Sequence, residues 1–209
     1  MLTRLFLKHP TYLTRCYSTQ SFYKLFPKNF PHGGPPKDSF IINDRDLRRE
    51  YRSLQSENHP DVSSDTAASS NINKAYTTLK NPYTRIAHFI HLYSPNHVDI
   101  TEDSVAKKII SEYQRKSTET SMDYKDMLMS VLEAHEQLEL AESENQLETL
   151  EVENNERIEK TESKIEHVLQ QPNINWDDLI MDAIKLKYWV TIQNGIKEWE
   201  PGKPVHLTH

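Results

Sequence analysis

Residues 57–64 read ENHPDVSS, which sets an imidazole, His59, two positions from a carboxylate, Asp61, with Pro60 between them. Proline removes a backbone donor and pushes its predecessor toward extended backbone. His59 is therefore turned out of the preceding helix, and Asp61 starts a turn. In an enclosed cleft such a pair would be an acid–base couple; on an open turn it is a polar display for another protein, or only a helix stop. Upstream, Arg45, Arg48, Arg49 and Arg52 recur at three- and four-residue spacing, which lays four guanidinium groups along one helix face. Their planar forks match carboxylates. His88 and His91 stand one helical turn apart, but next to Phe89 and Ile90 they read as part of a helix surface rather than a metal site. The chain has no HExxH, P-loop, GxSxG or nucleophile paired with a base. Its single cysteine, Cys16, rules out an internal disulfide and any thiolate cluster. No catalytic residue, metal site or cofactor is expected.

The elements that must carry these residues are helical. Only four glycines are present, too few for a sheet-rich fold with many tight turns. Residues 21–26, SFYKLF, form a short helix with Phe22, Leu25 and Phe26 on one side, ended by Pro27. A Pro- and Gly-rich loop follows. Asn43 then caps a helix with Asp46 at its third position, and Leu47, Tyr51 and Leu54 share a face beside the arginines. After the polar loop VSSDTAASS come Ile72, Ala75, Tyr76 and Leu79, and Asn81 with Pro82 opens a further helix carrying Ile86, Phe89, Ile90 and Tyr93. Residues 21–93 thus read as a short helix, an antiparallel hairpin with His59–Asp61 at its tip, and a closing helix.

Beyond a linker lie three more amphipathic segments. The first carries Met127, Leu128, Val131, Leu132, His135 and Leu138; the second Leu147, Leu150, Ile158, Ile165 and Val168; the third Ile180, Ala183, Ile184, Tyr188, Ile192, Ile196 and Trp199. Short connections between such stripes point to a three-helix bundle. Residues 133–166 hold twelve glutamates, with Glu153–Arg157 and Glu156–Lys160 at pairing distance. The apolar positions keep no strict heptad, so this stretch is expected to be a solvated face rather than a coiled-coil dimer arm, and the chain a monomer.

Charge is uneven along the chain. Residues 1–37 contain no Asp or Glu, and MLTRLFLKHPTYLTRCY alternates basic and apolar residues in the manner of a mitochondrial transit peptide. Removing residues 1–17 leaves 22 basic against 31 acidic side chains, a net charge near −9 that makes nucleic acid a poor partner. Nothing approaches the roughly 18 apolar residues of a membrane span, so no membrane is expected either.

FYKLFP, LRREYRSLQSENHPD and NKAYTTLKNP together resemble the J domain of DnaJ-type co-chaperones. The resemblance implies that His59, Pro60 and Asp61 trigger ATP hydrolysis by a DnaK-type chaperone, and that Arg45, Arg48, Arg49 and Arg52 dock on its acidic surface. No glycine/phenylalanine-rich linker and no cysteine-rich zinc module follows, unlike general client-binding members. Instead MLMSVLEAHEQLE and LKYWVTIQNGIKEWEPGKPV resemble the C-terminal lobe of the HscB family, most closely its fungal mitochondrial members. That resemblance implies binding of an IscU-type iron–sulfur cluster scaffold protein through Leu128, Leu132 and Tyr188, with Met127, Glu133 and Gln137 nearby. Ser130 stands where some relatives carry a basic residue.

The sequence therefore reads as an all-α chain: transit peptide over 1–17, J domain over 18–95, linker or loop over 96–121, and a three-helix scaffold-binding domain over 122–209. The expected role is a J-type co-chaperone of iron–sulfur cluster assembly in the mitochondrial matrix. The alternatives are a J-protein for another client, or a helical adaptor whose His-Pro-Asp is incidental.

Overall fold

The computed structural model describes residues 20–58 and 66–201. Among these the chain forms a 3-10 turn, Phe22–Leu25, and seven α-helices. They are α1 (Asp44–Glu57), α2 (Thr66–Lys80), α3 (Pro82–Tyr93), α4 (Asp103–Lys116), α5 (Thr118–Leu140), α6 (Glu144–Leu169) and α7 (Trp176–Glu198). None of them is long and apolar enough to cross a membrane.

The caps follow from the asparagines. Asn43 accepts from the Arg45 amide at 2.9 Å, and Asn81 accepts from Tyr83 and Thr84 at 2.9 and 3.2 Å. Each satisfies amides that the first helical turn leaves without a partner. The three-residue period of the 3-10 turn buries Tyr23 and Phe26 instead of Phe22 and Leu25, which stay half-exposed. In α1 and α2, Gln55 meets Ser69 while Tyr51 stacks on Tyr76 at 4.0 Å, so the two helices run antiparallel.

The expected linker over 96–121 is mostly helix. Only its start is loop; α4 occupies Asp103–Lys116, and α5 begins at Thr118 behind a Ser117 capping box. Ala106 is buried, and Ile109, Ile110 and Tyr113 pack against the core, a helical period that explains why the segment folds. The second lobe is thus the three-helix bundle α5–α7 with α4 laid against α5 and α7.

One core runs through both lobes. It joins Tyr23, Phe26, Phe30, Phe40, Ile86 and Ile90 to Ile165, Leu179, Ala183 and Leu186, while a smaller cluster around Leu138, Leu147 and Ile192 fills the far end of the bundle. The α3 helix packs on α7, which is buried on nearly every side. Arg85 of α3 reaches Glu162 of α6 at 2.6 Å, donates to the Leu79 carbonyl at 2.7 Å, and lies over the Phe40 ring. Burial lowers the pKa of Arg85 and raises that of Glu162, the signature of an ion pair taken out of water. One turn on, Glu166 accepts from the Phe40 amide at 2.6 Å. The acidic stretch is therefore not solvated throughout: its last two glutamates tie α6 to the first lobe.

Candidate functional site

The arginine face is well formed. Arg45, Arg48, Arg49 and Arg52 are all exposed and line one shallow depression on α1. The opposite side of that helix buries Leu47 and Glu50. Glu50 is only 3 % exposed, and its side-chain oxygens accept from the amides of Lys28 and Asn29 at 2.8 and 3.0 Å, so a buried acidic side chain pins the preceding loop to α1. Gly34 lets that loop close. Its φ is +105°, and a Cβ there would stand 2.5 Å from Tyr23 Cγ. Arg49 pairs with Asp46 at 3.2 Å on the surface, a contact in high dielectric that stabilises little. His59, Pro60 and Asp61 lie outside the described residues, in the segment between the end of α1 and the start of α2.

The α5 residues separate into two sets. Tyr124, Met127, Val131, Ala134 and Leu138, spaced three and four apart, are the buried stripe. Met127 is therefore a core residue, 7 % exposed, and cannot present its side chain to a partner. Leu128 is half-buried, whereas Leu132 is 59 % exposed, and Glu133 and Gln137 are exposed. Across the bundle, half-buried Tyr188 of α7 brings its hydroxyl to 3.5 Å from that of Tyr124. Leu128 follows Tyr124 by one helical turn and Leu132 follows by a second, so both lie toward the side of α5 on which Tyr124 meets Tyr188. Met122 and Met129 are absent from the expected set, yet stand 58 % and 60 % exposed on α5. The three-four spacing of the buried stripe was the signal that separates Met129 from Met127.

His88 is not on a surface. It is 8 % exposed, accepts from the Phe22 amide at 3.0 Å through Nε2, and stacks on the Phe22 ring with centroids 4.5 Å apart. Burial, with smaller contributions from His91 and Lys74, lowers its pKa from 6.5 to about 4, so it is neutral and serves the core. The α3 helix is enclosed by the 3-10 turn and α7, which is why its polar positions are buried as well. Among the described residues no three His, Cys, Asp or Glu side chains gather as a metal site.

A helical hairpin with an exposed basic face, sharing its core with a bundle that exposes an apolar patch, has the build of a J-type co-chaperone. The family model described as the HSCB C-terminal oligomerisation domain matches residues 123–197. The mitochondrial J-type co-chaperone JAC1 of Saccharomyces cerevisiae is 31 % identical over 199 residues, covering 95 % of this chain and 98 % of its own. Its counterpart jac1 from Schizosaccharomyces pombe is 28 % identical over 180 residues, 83 % of this chain and 71 % of that one. A solved structure of the Saccharomyces cerevisiae Jac1 co-chaperone superposes with a TM-score of 0.65 at 29 % identity, covering 90 % of this chain and 99 % of that chain. The chain belongs to the HscB-type family of mitochondrial J-type co-chaperones, an N-terminal J domain joined to a C-terminal helical bundle.

Proposed function

We propose that the protein stimulates the ATPase of a mitochondrial DnaK-type chaperone and delivers to it an IscU-type iron–sulfur cluster scaffold protein, promoting cluster transfer in the matrix. It acts as a monomer, without catalysis of its own. His59, Pro60 and Asp61 are the trigger, and Arg45, Arg48, Arg49 and Arg52 steer the chaperone into place. Leu128, Leu132 and Tyr188, with Glu133 and Gln137 at the rim, hold the scaffold. Tethering both partners raises the concentration of client at the chaperone's peptide site without any new contact between the two.

The observation that carries this reading is that an exposed basic face and an exposed apolar patch sit on opposite lobes of one continuous core. Single-turnover ATP hydrolysis by the matrix chaperone tests it, run with and without scaffold and beside an Asp61→Ala variant. Stimulation that requires Asp61 and rises further with scaffold is expected. Stimulation indifferent to scaffold would redirect the search to another client, and no stimulation would reduce the His-Pro-Asp turn to a helix stop.

A further inference from the structure

Of the seven large hydrophobic residues most exposed among those described, four lie on α5: Met122, Met129, Leu132 and Leu140. Solvent-facing apolar side chains gathered in this way mark contact surfaces. At 100° per residue, Met129 stands roughly 60° around the helix from Leu132, and Met122 about 20° beyond Met129. Counting 1.5 Å per residue, Met122 to Leu132 spans about 15 Å. The stripe is continuous with Leu128 and Tyr188, so the patch assigned to the scaffold does not end at Leu132. Lys125 and Glu136 share this side of α5 and are exposed, giving the stripe a charged margin. The remaining internal methionines, Met127 and Met181, are 7 % and 4 % exposed.

We propose that Met122 and Met129 extend the scaffold-docking surface, and that oxidation of their thioethers by hydrogen peroxide releases the scaffold. This rests on the reading of the α5–α7 patch given above. An unbranched thioether fits an irregular apolar partner well. The sulfoxide instead brings a strong acceptor into a surface that must lose its water on docking. Each oxidation moves one oxygen from peroxide to sulfur: the O–O bond breaks, an S=O bond forms, sulfur loses two electrons and peroxide becomes water.

The test uses the full-length protein carrying Cys16→Ser, which removes its only thiol. Scaffold affinity is measured by calorimetry before and after dilute peroxide, quenched before scaffold is added, with each methionine followed by peptide mass mapping. Sulfoxide is expected at Met122 and Met129 before Met127 and Met181, with affinity falling about tenfold. The double variant Met122→Leu, Met129→Leu keeps an apolar stripe with nothing for peroxide to oxidise, so whatever its starting affinity for scaffold, that affinity is expected to be the same before and after peroxide. Equal loss in that variant overturns the proposal, as does unchanged affinity once both thioethers are oxidised. A Leu132→Ser variant separates this inference from the reading beneath it. If Leu132→Ser weakens capture and oxidation does not, the scaffold site stands and the methionine stripe falls; if the untreated protein fails to bind scaffold, both fall. Should oxidation instead dissolve a self-associated form seen by sedimentation while scaffold affinity holds, the stripe faces a second copy and the proposal is wrong.

Discussion

The two exposed faces work on different physics. On α1, four guanidinium groups stand in water along one helix side, with no apolar side chain among the residues lining their depression. On α5 and α7, Leu128 and Tyr188 rise half-buried out of the bundle core, and Leu132 stands proud of them. Charges in solvent act over roughly a Debye length, about 8 Å at physiological salt, and chiefly speed encounter. Apolar side chains act only on contact and chiefly slow dissociation. On the function proposed above, the basic face would attract one partner from a distance and the apolar face would hold the other at short range. Coupling the two requires only that the frame between them stay fixed, and this gives the comparison its sharpest points of attack.

The largest effect is expected at the frame. Glu162→Ala leaves the Arg85 guanidinium, 2 % exposed, without its carboxylate. Breaking a buried pair on one side costs about 3–5 kcal/mol. The urea midpoint should fall accordingly, and what the scaffold adds to ATPase stimulation should shrink at temperatures where the variant remains folded. A midpoint within error of the parent would show that the lobes do not depend on this pair.

Next comes pH. The unfolded chain protonates His88 near 6.5, and the folded chain resists until about 4, so between these values the unfolded state binds more protons. Stability is therefore full above pH 6.5 and declines as pH falls toward 4, by on the order of 3 kcal/mol from this group. Urea titrations at several pH values check it. His88→Leu should flatten this part of the profile, while costing stability at neutral pH because the Phe22 amide loses its acceptor. An unchanged slope in that variant would assign the acid sensitivity elsewhere.

Much of this arrangement was legible in the sequence. Asn43 and Asn81 announced their helices, and the Leu47–Tyr51–Leu54 and Ile72–Ala75–Leu79 periods gave the hairpin its inner sides. The arginine face followed from spacing alone. Most of what stayed hidden depended on a second element. His88 looks like a surface residue on its own helix and is buried because the 3-10 turn closes over it, with the Phe22 and Tyr23 rings against the imidazole. Glu162 and Glu166 look like solvated acids until the first lobe meets them. The α4 segment reads as a linker in sequence because a polar run at its start hides the Ala106, Ile109 and Tyr113 period. Met127 stands beside the expected patch in sequence, yet the buried stripe of its own helix runs through it.

Smaller than these is the loss expected from trimming the apolar face. Leu132 is 59 % exposed, so Leu132→Ser should leave the thermal midpoint within about a degree of the parent while weakening scaffold binding by about 2 kcal/mol. The same change should leave scaffold-free ATPase stimulation untouched. A variant that melts early and binds normally would make Leu132 a packing residue after all.

Smallest in equilibrium terms, and the cleanest contrast with Leu132, is the arginine face. Arg48 is exposed, so Arg48→Ala should scarcely alter stability, and its cost in chaperone binding should be at most about 1 kcal/mol at physiological salt. The effect should lie mainly in the association rate, growing as salt is lowered and fading as it is raised, because screening removes what the guanidinium supplies. Stopped-flow association measured across an ionic-strength series separates the two faces: the α1 slope should flatten in Arg48→Ala, and the scaffold reaction should show little slope in either protein. If Arg48→Ala instead raised the dissociation rate equally at every salt concentration, the arginine would be making a desolvated contact. The two faces would then differ in composition but not in the way they hold a partner.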